Sequence, residues 1–359
     1  MYYTEYLVCS DSFKGSLSSH AVNSAIADGI RSVCPSALVR CVTMSDGGEG
    51  FVEAVRAQTG GELITVSTHD PLMHPLQAKY LLSADGTAYI ESASTCGIEL
   101  LTPDELAPVQ ATSYGLGELM ADALQRGCGK MVIGLGGTCT CDVGKGMLHA
   151  LCEVLKVRDL AYLSKMFATC PVMIASDVEN PLLGSNGAAH VFSPQKGASP
   201  AEVELLEQYA ETFAKESAMR CGYDSSKMAG AGAAGGIGYA LMQYLHAERM
   251  PGIELLLELC GLDVSLHERT LIITGEGHAD RQTLMGKVPL GVLQHALRRG
   301  AAVWLLAGKV KDRAALLDAG FARVININDH LCPGENPMQP EVAYQNLRKT
   351  VCCEISKQE

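Results

Sequence analysis

Five short polar loops contain the residues of this sequence that are best suited to chemistry, and each follows an apolar run. They are loops 11–16, 45–50, 134–138, 176–181 and 274–280. Glycines in such loops let backbone N–H groups approach a phosphate, and a lysine such as Lys14 neutralises its oxygens. Carboxylates do a different task, because they can hold Mg²⁺ or accept the proton of an attacking hydroxyl. The acid candidates are Asp46, Asp177, Glu276 and Asp280.

Each of these residues also has a simpler structural explanation. Lys14 could lie exposed beside a helix that Ser16 or Ser18 caps, and a single Asp after a strand commonly caps the next helix. Lys196, in another loop, could add a second cation or simply belong to a turn before a predicted helix. The functional interpretation depends on convergence, because ligands of open parallel sheets bind beyond the carboxyl ends of the strands.

The sequence lacks the motifs of the best-known nucleotide and nucleophile sites. It has no G-x-x-x-x-G-K-[ST] phosphate loop, no H-R-D or D-F-G kinase signature and no G-x-S-x-G nucleophile turn. Residues 230–235 spell G-x-G-x-x-G, but the preceding residues 224–229 are polar and predict no strand. An oxidoreductase with a dinucleotide site is therefore disfavoured, and we expect a glycine-rich helix start beside a ligand or another element.

The elements that would position these loops alternate between short apolar runs and amphipathic stretches, which is typical of parallel sheets covered by helices. Residues 6–10 predict a strand, and residues 18–33 predict a helix with Val22, Ile26 and Ile30 on one face. Similar alternation returns after residue 266, whereas closely spaced strands begin near residue 62. We predict one domain of residues 1–70 plus 266–359 and an inserted domain of residues 71–265, with two tandem domains as the alternative.

Composition limits the class of protein and of partner. The 359 residues have a formal net charge of −12 and a pI near 5.3, which argues against nucleic acid or an anionic membrane as a partner. No apolar run reaches the roughly 20 residues that span a bilayer, and no signal-peptide pattern is present, so we expect a cytoplasmic protein. The 14 cysteines include no C-x-x-C, and we expect reduced thiols.

Taken in order, the loops resemble the glycerate kinase type 1 family. The matching stretches include DSFKGSL at 11–17, DGGEG at 46–50, GLGG at 134–137, SDV at 176–178, PQKG at 194–197, GAGAAGG at 230–236 and TGEG at 274–277. The resemblance implies an enzyme that uses ATP and Mg²⁺ to phosphorylate D-glycerate by in-line transfer. It favours 2-phosphoglycerate over 3-phosphoglycerate as the product.

The resemblance also implies a fold class and a kind of partner. It implies two α/β domains, a Rossmann-like parallel-sheet domain built from both chain ends and an inserted mixed α/β domain, with the active site in the cleft between the domains. The partner would be a small anionic substrate, D-glycerate, rather than nucleic acid or a membrane. The expected assembly is a monomer or a homodimer.

With this resemblance, individual residues can be assigned to roles. Lys14, Asp46 and Asp177 are the catalytic candidates, with either acid as the base that accepts the proton of the substrate hydroxyl. The candidates for substrate binding are Ser12, Gly47, Gly48, Glu276, His278 and Asp280. The candidates for the nucleotide phosphates are Gly136, Gly137, Thr138, Gly232, Gly235 and Gly236. The candidates for Mg²⁺ are Asp177 and Asp280.

Three positions depart from the pattern of the family. Cys141 stands where asparagine is usual and cannot replace its hydrogen bonds, and Val143 replaces a glycine. His278 stands where arginine is usual, which exchanges a permanent cation for a titrating one. These differences leave an alternative open, a catalytically inactive regulatory protein of the same fold that binds a nucleotide or another anion.

Overall fold

The computed structural model describes residues 3–44, 47–48, 50–260, 269–284, 288–329, 331 and 334–357, and contacts divide the chain into two compact units. Unit 1 is Met1–Ser45 with Leu256–Glu359, and unit 2 is Asp46–Leu255. Among the described residues, no helix has both the length and the apolar character needed to cross a lipid bilayer.

The described strands and helices alternate along much of the chain. The strands are β1 (Glu5–Val8), β2 (Leu38–Cys41), β3 (Glu62–His69), β4 (Pro75–Leu82), β5 (Thr87–Glu91), β6 (Lys130–Gly134), β7 (Val172–Ala175), β8 (Glu248–Met250), β9 (Thr270–Ala279), β10 (Ala302–Val310) and β11 (Arg323–Asn326). The helices are α1 (Ser19–Val33), α2 (Phe51–Thr59), α3 (Ala93–Cys96), α4 (Tyr114–Gln125), α5 (Lys145–Val154), α6 (Ala161–Met166), α7 (Ala188–Phe192), α8 (Pro200–Cys221), α9 (Ala233–Leu245), α10 (Gly252–Leu259), α11 (Val288–Leu297), α12 (Arg313–Asp318) and α13 (Pro340–Ser356). Short 3₁₀ turns lie at Ile98–Leu100, Pro103–Glu105, Phe167–Thr169, Pro194–Lys196 and Arg281–Leu284.

Unit 1 is built on a five-stranded sheet with the order β11-β10-β9-β1-β2, in which all neighbouring strands are parallel. Helix α1 begins after Ser18, whose Oγ accepts a hydrogen bond from the N–H of Ala21 at 3.3 Å. Its predicted apolar face is confirmed, because Val22, Ile26 and Ile30 are fully buried in the core of this unit. The burial of this face stabilises the helix against the sheet.

Unit 2 is built on a six-stranded mixed sheet with the order β3-β4-β5-β6-β7-β8. The pairs β3-β4 and β4-β5 are antiparallel, and the pairs from β5 to β8 are parallel. The predicted fold class is confirmed, with a parallel-sheet unit built from both chain ends and an inserted mixed α/β unit. By contacts the units divide at 45/46 and 255/256, where the sequence analysis placed the limits at 70/71 and 265/266. Strand β3 pairs with β4 along its full length and so belongs to the sheet of unit 2.

Candidate active site

In unit 1, the chain leaves β1 through a tight turn that carries Lys14. The N–H of Phe13 donates to the carbonyl of Leu17 at 2.8 Å, and the N–H of Leu17 donates back to Phe13 at 3.0 Å. Gly15 has a φ of +77°, a left-handed conformation that glycine adopts at little cost. Lys14 is therefore exposed at the tip of a closed turn.

The same turn is attached to the end of β9. The N–H of Asp11 donates to the carbonyl of Gly275 at 2.9 Å. A Cβ added at Gly277 would lie 3.6 Å from the backbone nitrogen of Lys14. The N–H of Ser12 donates to the side chain of Asp11 at 2.7 Å. The segment 11–16 thus lies against the end of β9, as expected for neighbouring parallel strands. The predicted loop 274–280 is wrong in its extent, because residues 274–279 continue β9 and pair with β10.

The end of β9 brings three of the predicted polar residues together. Glu276 is only 5% exposed and accepts a hydrogen bond from Thr283 Oγ1 at 2.5 Å. Thr283 Oγ1 in turn accepts one from the N–H of Asp280 at 3.0 Å, while Asp280 Oδ1 accepts one from the N–H of Gln282 at 2.8 Å. His278 Nε2 lies 3.7 Å from Asp280 Oδ2. Unit 1 therefore presents a buried carboxylate beside a partly exposed imidazole and a second carboxylate.

Asn23 also positions this region, although the sequence analysis did not single it out. Asn23 lies on α1 and is 2% exposed, although it carries an amide. Its Oδ1 accepts from the N–H of Ser10 at 3.0 Å, and its Nδ2 donates to the carbonyl of Val42 at 2.8 Å. Asn23 therefore joins the segments that follow β1 and β2. A polar residue inside an otherwise apolar helical face was the available signal.

In unit 2, the Gly47-Gly48 turn packs directly on the ends of β6 and β7. A Cβ at Gly47 would lie 2.2 Å from the carbonyl oxygen of Ala175, and one at Gly136 would lie 2.6 Å from the Cα of Gly48. These approaches are shorter than a real Cβ contact, so only glycine fits. Loops 45–50 and 134–138 therefore converge within this unit, while Asp46 lies outside the described residues.

Helix α2 begins just after this turn, and Glu91 caps it. Glu91 Oε1 accepts from the N–H of Gly50 at 3.1 Å, and Oε2 accepts from the N–H of Val52 at 3.3 Å. A carboxylate at a helix N-terminus satisfies open N–H groups and opposes the positive end of the helix dipole. Glu91 thus fixes the start of α2 and the turn before it. The sequence analysis did not single out this residue.

Asp177 follows β7 in a loop that Arg249 holds in place. The N–H of Ser176 donates to the carbonyl of Met250 at 3.1 Å, and Arg249 Nη1 donates to the carbonyl of Ser176 at 3.0 Å. Arg249 also pairs with Glu179 at 3.2 Å. Asp177 itself is half-buried between these braced residues. Arg249, which the sequence analysis did not consider, is therefore a structural support for the loop of a candidate base.

The glycines of residues 232–236 pack against the backbone of loop 138–143 and of Pro181, in the loop that follows β7. A Cβ at Gly235 would lie 2.0 Å from the carbonyl oxygen of Thr140, and one at Gly232 would lie 2.3 Å from that of Pro181. One at Gly236 would lie 2.8 Å from the Cα of Val143. Residues 222–229, immediately before Gly230, form no strand, as the sequence predicted. Packing thus explains why these positions are glycine, whatever else they bind.

Loop 138–143 contains two of the departures from the family pattern. Cys141 is 4% exposed, and burial raises the pKa of its thiol, so it behaves as a small neutral side chain. Val143 is 1% exposed and has a φ of +52°, which is strained for a β-branched residue. The left-handed backbone explains why glycine is usual at this position.

Asp142 fixes the next element of this loop. Its Oδ2 accepts from the N–H and the Oγ of Ser113, each at 2.8 Å, and from the N–H of Gly146 at 3.0 Å. Its Oδ1 accepts from the N–H of Gly144 at 3.1 Å. Asp142 thus ties the start of α5 to the start of α4.

Lys196 is the least expected feature of unit 2. It is 3% exposed, and its Nζ donates to Thr138 Oγ1 at 3.3 Å and to the carbonyl of Thr140 at 2.8 Å. Within the described part of the chain, no group of three or more His, Cys, Asp or Glu side chains converges as a metal site. Unit 2 thus contains a buried lysine whose two hydrogen-bond acceptors both belong to loop 138–143.

Comparison with known proteins gives the family. The model of the "Glycerate kinase family" matches residues 6–158 and 152–355. Glycerate 2-kinase of Escherichia coli K12 is 37% identical over 345 residues, covering 89% of this chain and 91% of that protein. Glycerate kinase of Bacillus subtilis 168 is 34% identical over 358 residues, covering 94% of each.

A solved structure extends the similarity to the fold. It is the crystal structure of a protein from Salmonella typhimurium LT2 that carries the provisional name glycerate kinase 2. It superimposes with a TM-score of 0.82 at 34% identity, covering 99% of this chain and 98% of that one. This agreement in fold is consistent with the matches of the family model and of the relatives. The chain is a kinase that belongs to the glycerate kinase family.

Proposed function

We propose that this kinase is a type 1 enzyme that transfers the γ-phosphoryl group of ATP to the 2-hydroxyl of D-glycerate. The observation that carries the proposal is the 37% identity, over 89% of the chain, to a protein named glycerate 2-kinase. The positions of the phosphate and acid loops at strand ends in each unit support it. Transfer would be in-line and would depend on positioning and charge neutralisation more than on covalent chemistry.

The residues of unit 1 suit the binding of a small hydroxy acid. Lys14, at the tip of its turn, supplies a cation for a phosphoryl or carboxylate oxygen, and Ser12 supplies a hydroxyl beside it. His278 is 42% exposed at its side chain and can donate an imidazole N–H to the substrate. Buried Glu276 orients the hydroxyl groups of the substrate.

The residues of unit 2 suit the nucleotide and the proton transfer. Asp177 or Asp46 accepts the proton of the attacking hydroxyl, and the backbone of Gly47 and Gly48 binds substrate oxygens. The candidates for the nucleotide phosphates are Gly136, Gly137, Thr138, Gly232, Gly235 and Gly236. The N–H groups of Gly137 and Thr138 are the donors best suited to this role. The N–H of Gly232 already donates to the carbonyl of Asn180 at 2.9 Å, and that of Gly136 donates to Ser92 Oγ at 3.4 Å.

Mg²⁺ fits the donors available for it. This ion retains several waters and takes one or two carboxylates together with substrate phosphates, so it needs no cage of protein ligands. Asp280 offers a carboxylate that is 25% exposed at its side chain, and Asp177 is the second candidate. When bound, Mg²⁺ would neutralise the charge that develops on the phosphate oxygens.

Turnover and product position test the proposed function directly. We expect ADP release that requires both Mg²⁺-ATP and D-glycerate, with L-glycerate as the control. Phosphorus NMR should give the signal of 2-phosphoglycerate. The signal of 3-phosphoglycerate would contradict the position, and ATP binding without any turnover would favour the inactive regulatory protein.

Replacing His278 by alanine tests its assignment to the substrate. We expect His278→Ala to raise the KM for D-glycerate about 10- to 100-fold with little change in kcat, because a hydrogen bond to a charged group contributes roughly 1.5–3 kcal/mol. His278→Arg should largely retain the wild-type KM, since a guanidinium can donate to the same oxygen. His149→Ala, at a histidine whose side chain is 71% exposed in unit 2, is the control. An unchanged KM in His278→Ala contradicts the assignment.

A further inference from the structure

Lys196 is a buried ammonium group whose partners are both neutral. The residue ends the 3₁₀ turn Pro194–Lys196, just before α8, and is 3% exposed. Its two acceptors are the hydroxyl of Thr138 and the carbonyl of Thr140. In the described part of the chain, no carboxylate lies within ion-pair distance of its Nζ.

The nearby groups that could balance this charge do not do so. Asp142 follows Thr140, an acceptor of Lys196, by two residues, but its carboxylate accepts its hydrogen bonds from Ser113, Gly144 and Gly146. Burial raises the pKa of the Cys139 thiol to about 11 and also raises that of Cys141, so neither is a thiolate at neutral pH. The positive charge of Lys196 therefore has no anionic partner among these neighbours.

An uncompensated buried charge is costly. Removing an ammonium group from water costs several kcal/mol, which two neutral acceptors offset only in part. An ammonium has three N–H donors, and these two acceptors engage two of them. An anionic oxygen at the third donor would supply both the missing hydrogen bond and the missing charge.

The backbone around Thr138, whose hydroxyl accepts a hydrogen bond from Lys196, offers further N–H donors for such an anion. The N–H groups of Gly137 and Thr138 donate to no acceptor in the ranges that the structure describes. Gly137 is exposed and has a φ of +64°. Successive open N–H groups in such a conformation form a concave site for an anion, and a nearby lysine strengthens it.

We propose that Lys196 is a ligand-binding residue, whose third N–H binds an anionic oxygen of the molecule held by Gly137 and Thr138. This inference rests on the proposed function, because it gives the loop that was assigned to the nucleotide a cation of its own. The oxygen belongs either to a phosphoryl group or to the carboxylate of the substrate. Both have the required charge and geometry.

Binding measurements on the full-length chain test this proposal without requiring turnover. The variants are Lys196→Met and Lys196→Gln, which remove the charge, and Lys196→Arg, which retains it. Lys165→Met is the matched control, because Lys165 is an exposed lysine of the same unit that lies over the ring of Tyr162. The probes are ADP and D-glycerate, each measured by isothermal titration calorimetry.

We expect the two neutral variants to weaken the binding of one probe at least about tenfold, the typical effect of losing a hydrogen bond to a charged group. A weaker affinity for ADP identifies a phosphoryl oxygen, and a weaker affinity for D-glycerate identifies a carboxylate. Lys196→Arg should recover part of the loss, and Lys165→Met should bind like the wild type. Wild-type affinities for both probes in a folded neutral variant overturn the proposal, as does a wild type that binds neither probe.

A second measurement covers neutral variants that do not fold. In wild-type protein labelled with ¹⁵N-lysine, the ammonium signal of Lys196, assigned by its loss in Lys196→Arg, should shift on saturation with ADP or D-glycerate. A signal that both probes leave unchanged overturns the proposal. Failure of the proposed function is a separate result, because wild-type protein without glycerate-dependent ADP release can still be tested for these binding effects.

Discussion

The substitution Asp177→Asn should lower kcat for glycerate phosphorylation by about 10²- to 10⁴-fold, the usual cost of removing a general base. Asparagine is nearly the same size, but its amide cannot accept the proton of the attacking hydroxyl. Arg249 still holds the backbone of Ser176 at 3.0 Å, so the loop should keep its shape. Steady-state kinetics with saturating Mg²⁺-ATP and D-glycerate measure the effect.

A neighbouring acid provides the control for this substitution. Glu179→Gln removes a carboxylate two residues away that is 77% exposed at its side chain and pairs with Arg249. Exposed pairs contribute little, so its kcat should stay close to the wild-type value. If Asp177→Asn keeps more than about a tenth of the wild-type kcat, Asp46 becomes the base candidate, and Asp46→Asn should then show the large loss. Retention of activity in both variants rejects the assignment of a base to either acid.

Patterns that repeat along one segment were readable from the sequence. The apolar positions Val22, Ile26 and Ile30 recur at the helical period, and they are buried as predicted. The alternation of strands and helices likewise predicted the mixed α/β class and the parallel sheet built from both chain ends. The first limit between the two units was less predictable, because it depends on which sheet β3 joins. Strand pairing is a tertiary interaction that local sequence does not encode.

The same distinction separates the site residues that were predicted from those that were missed. Glu276, His278 and Asp280 lie close together in sequence at the end of one strand, so their proximity follows from local chain geometry. Glu91 and Arg249, which were missed, act through partners that are 41 and 73 residues away. Lys196, which the sequence offered only as a possible second cation, acts through a partner 58 residues away. Their types alone suggest a surface acid and surface cations. Only the folded chain gives them a role in holding loops.

Glycine motifs carry a further ambiguity that the structure makes explicit. Gly47, Gly136 and Gly235 stand in the motifs that indicate phosphate binding, yet at each position a Cβ would overlap the backbone of a neighbouring segment. A close approach to a ligand and a close approach to another loop both require the absence of a side chain. The sequence cannot distinguish the two requirements, which are compatible at one loop. Substitution at a single glycine can separate them if stability and binding are both measured.

Gly235→Ala should destabilise unit 2 strongly. Its φ of +68° costs an alanine about 1–2 kcal/mol. The new Cβ would also lie 2.0 Å from the carbonyl oxygen of Thr140, so loop 138–143 must move. Together these effects should cost at least about 3–5 kcal/mol, which is typical of severe strain in a packed interior. Thermal unfolding should shift down by about 10 °C.

Gly222→Ala separates the steric effect from the conformational one. Gly222 ends α8 with a φ of +80°, and apart from its own chain neighbours and helix backbone no atom of the described residues lies within 4 Å of where its Cβ would stand. Alanine there should cost only about 1–2 kcal/mol, since the backbone penalty is the same and the overlap is absent. Gly235 is also assigned to the nucleotide phosphates, and the carbonyl of Thr140 accepts the hydrogen bond of Lys196. Gly235→Ala should therefore weaken ADP binding as well, whereas Gly222→Ala should not. Equal losses of stability in the two variants would mean that loop 138–143 yields freely, and that packing does not explain the glycine.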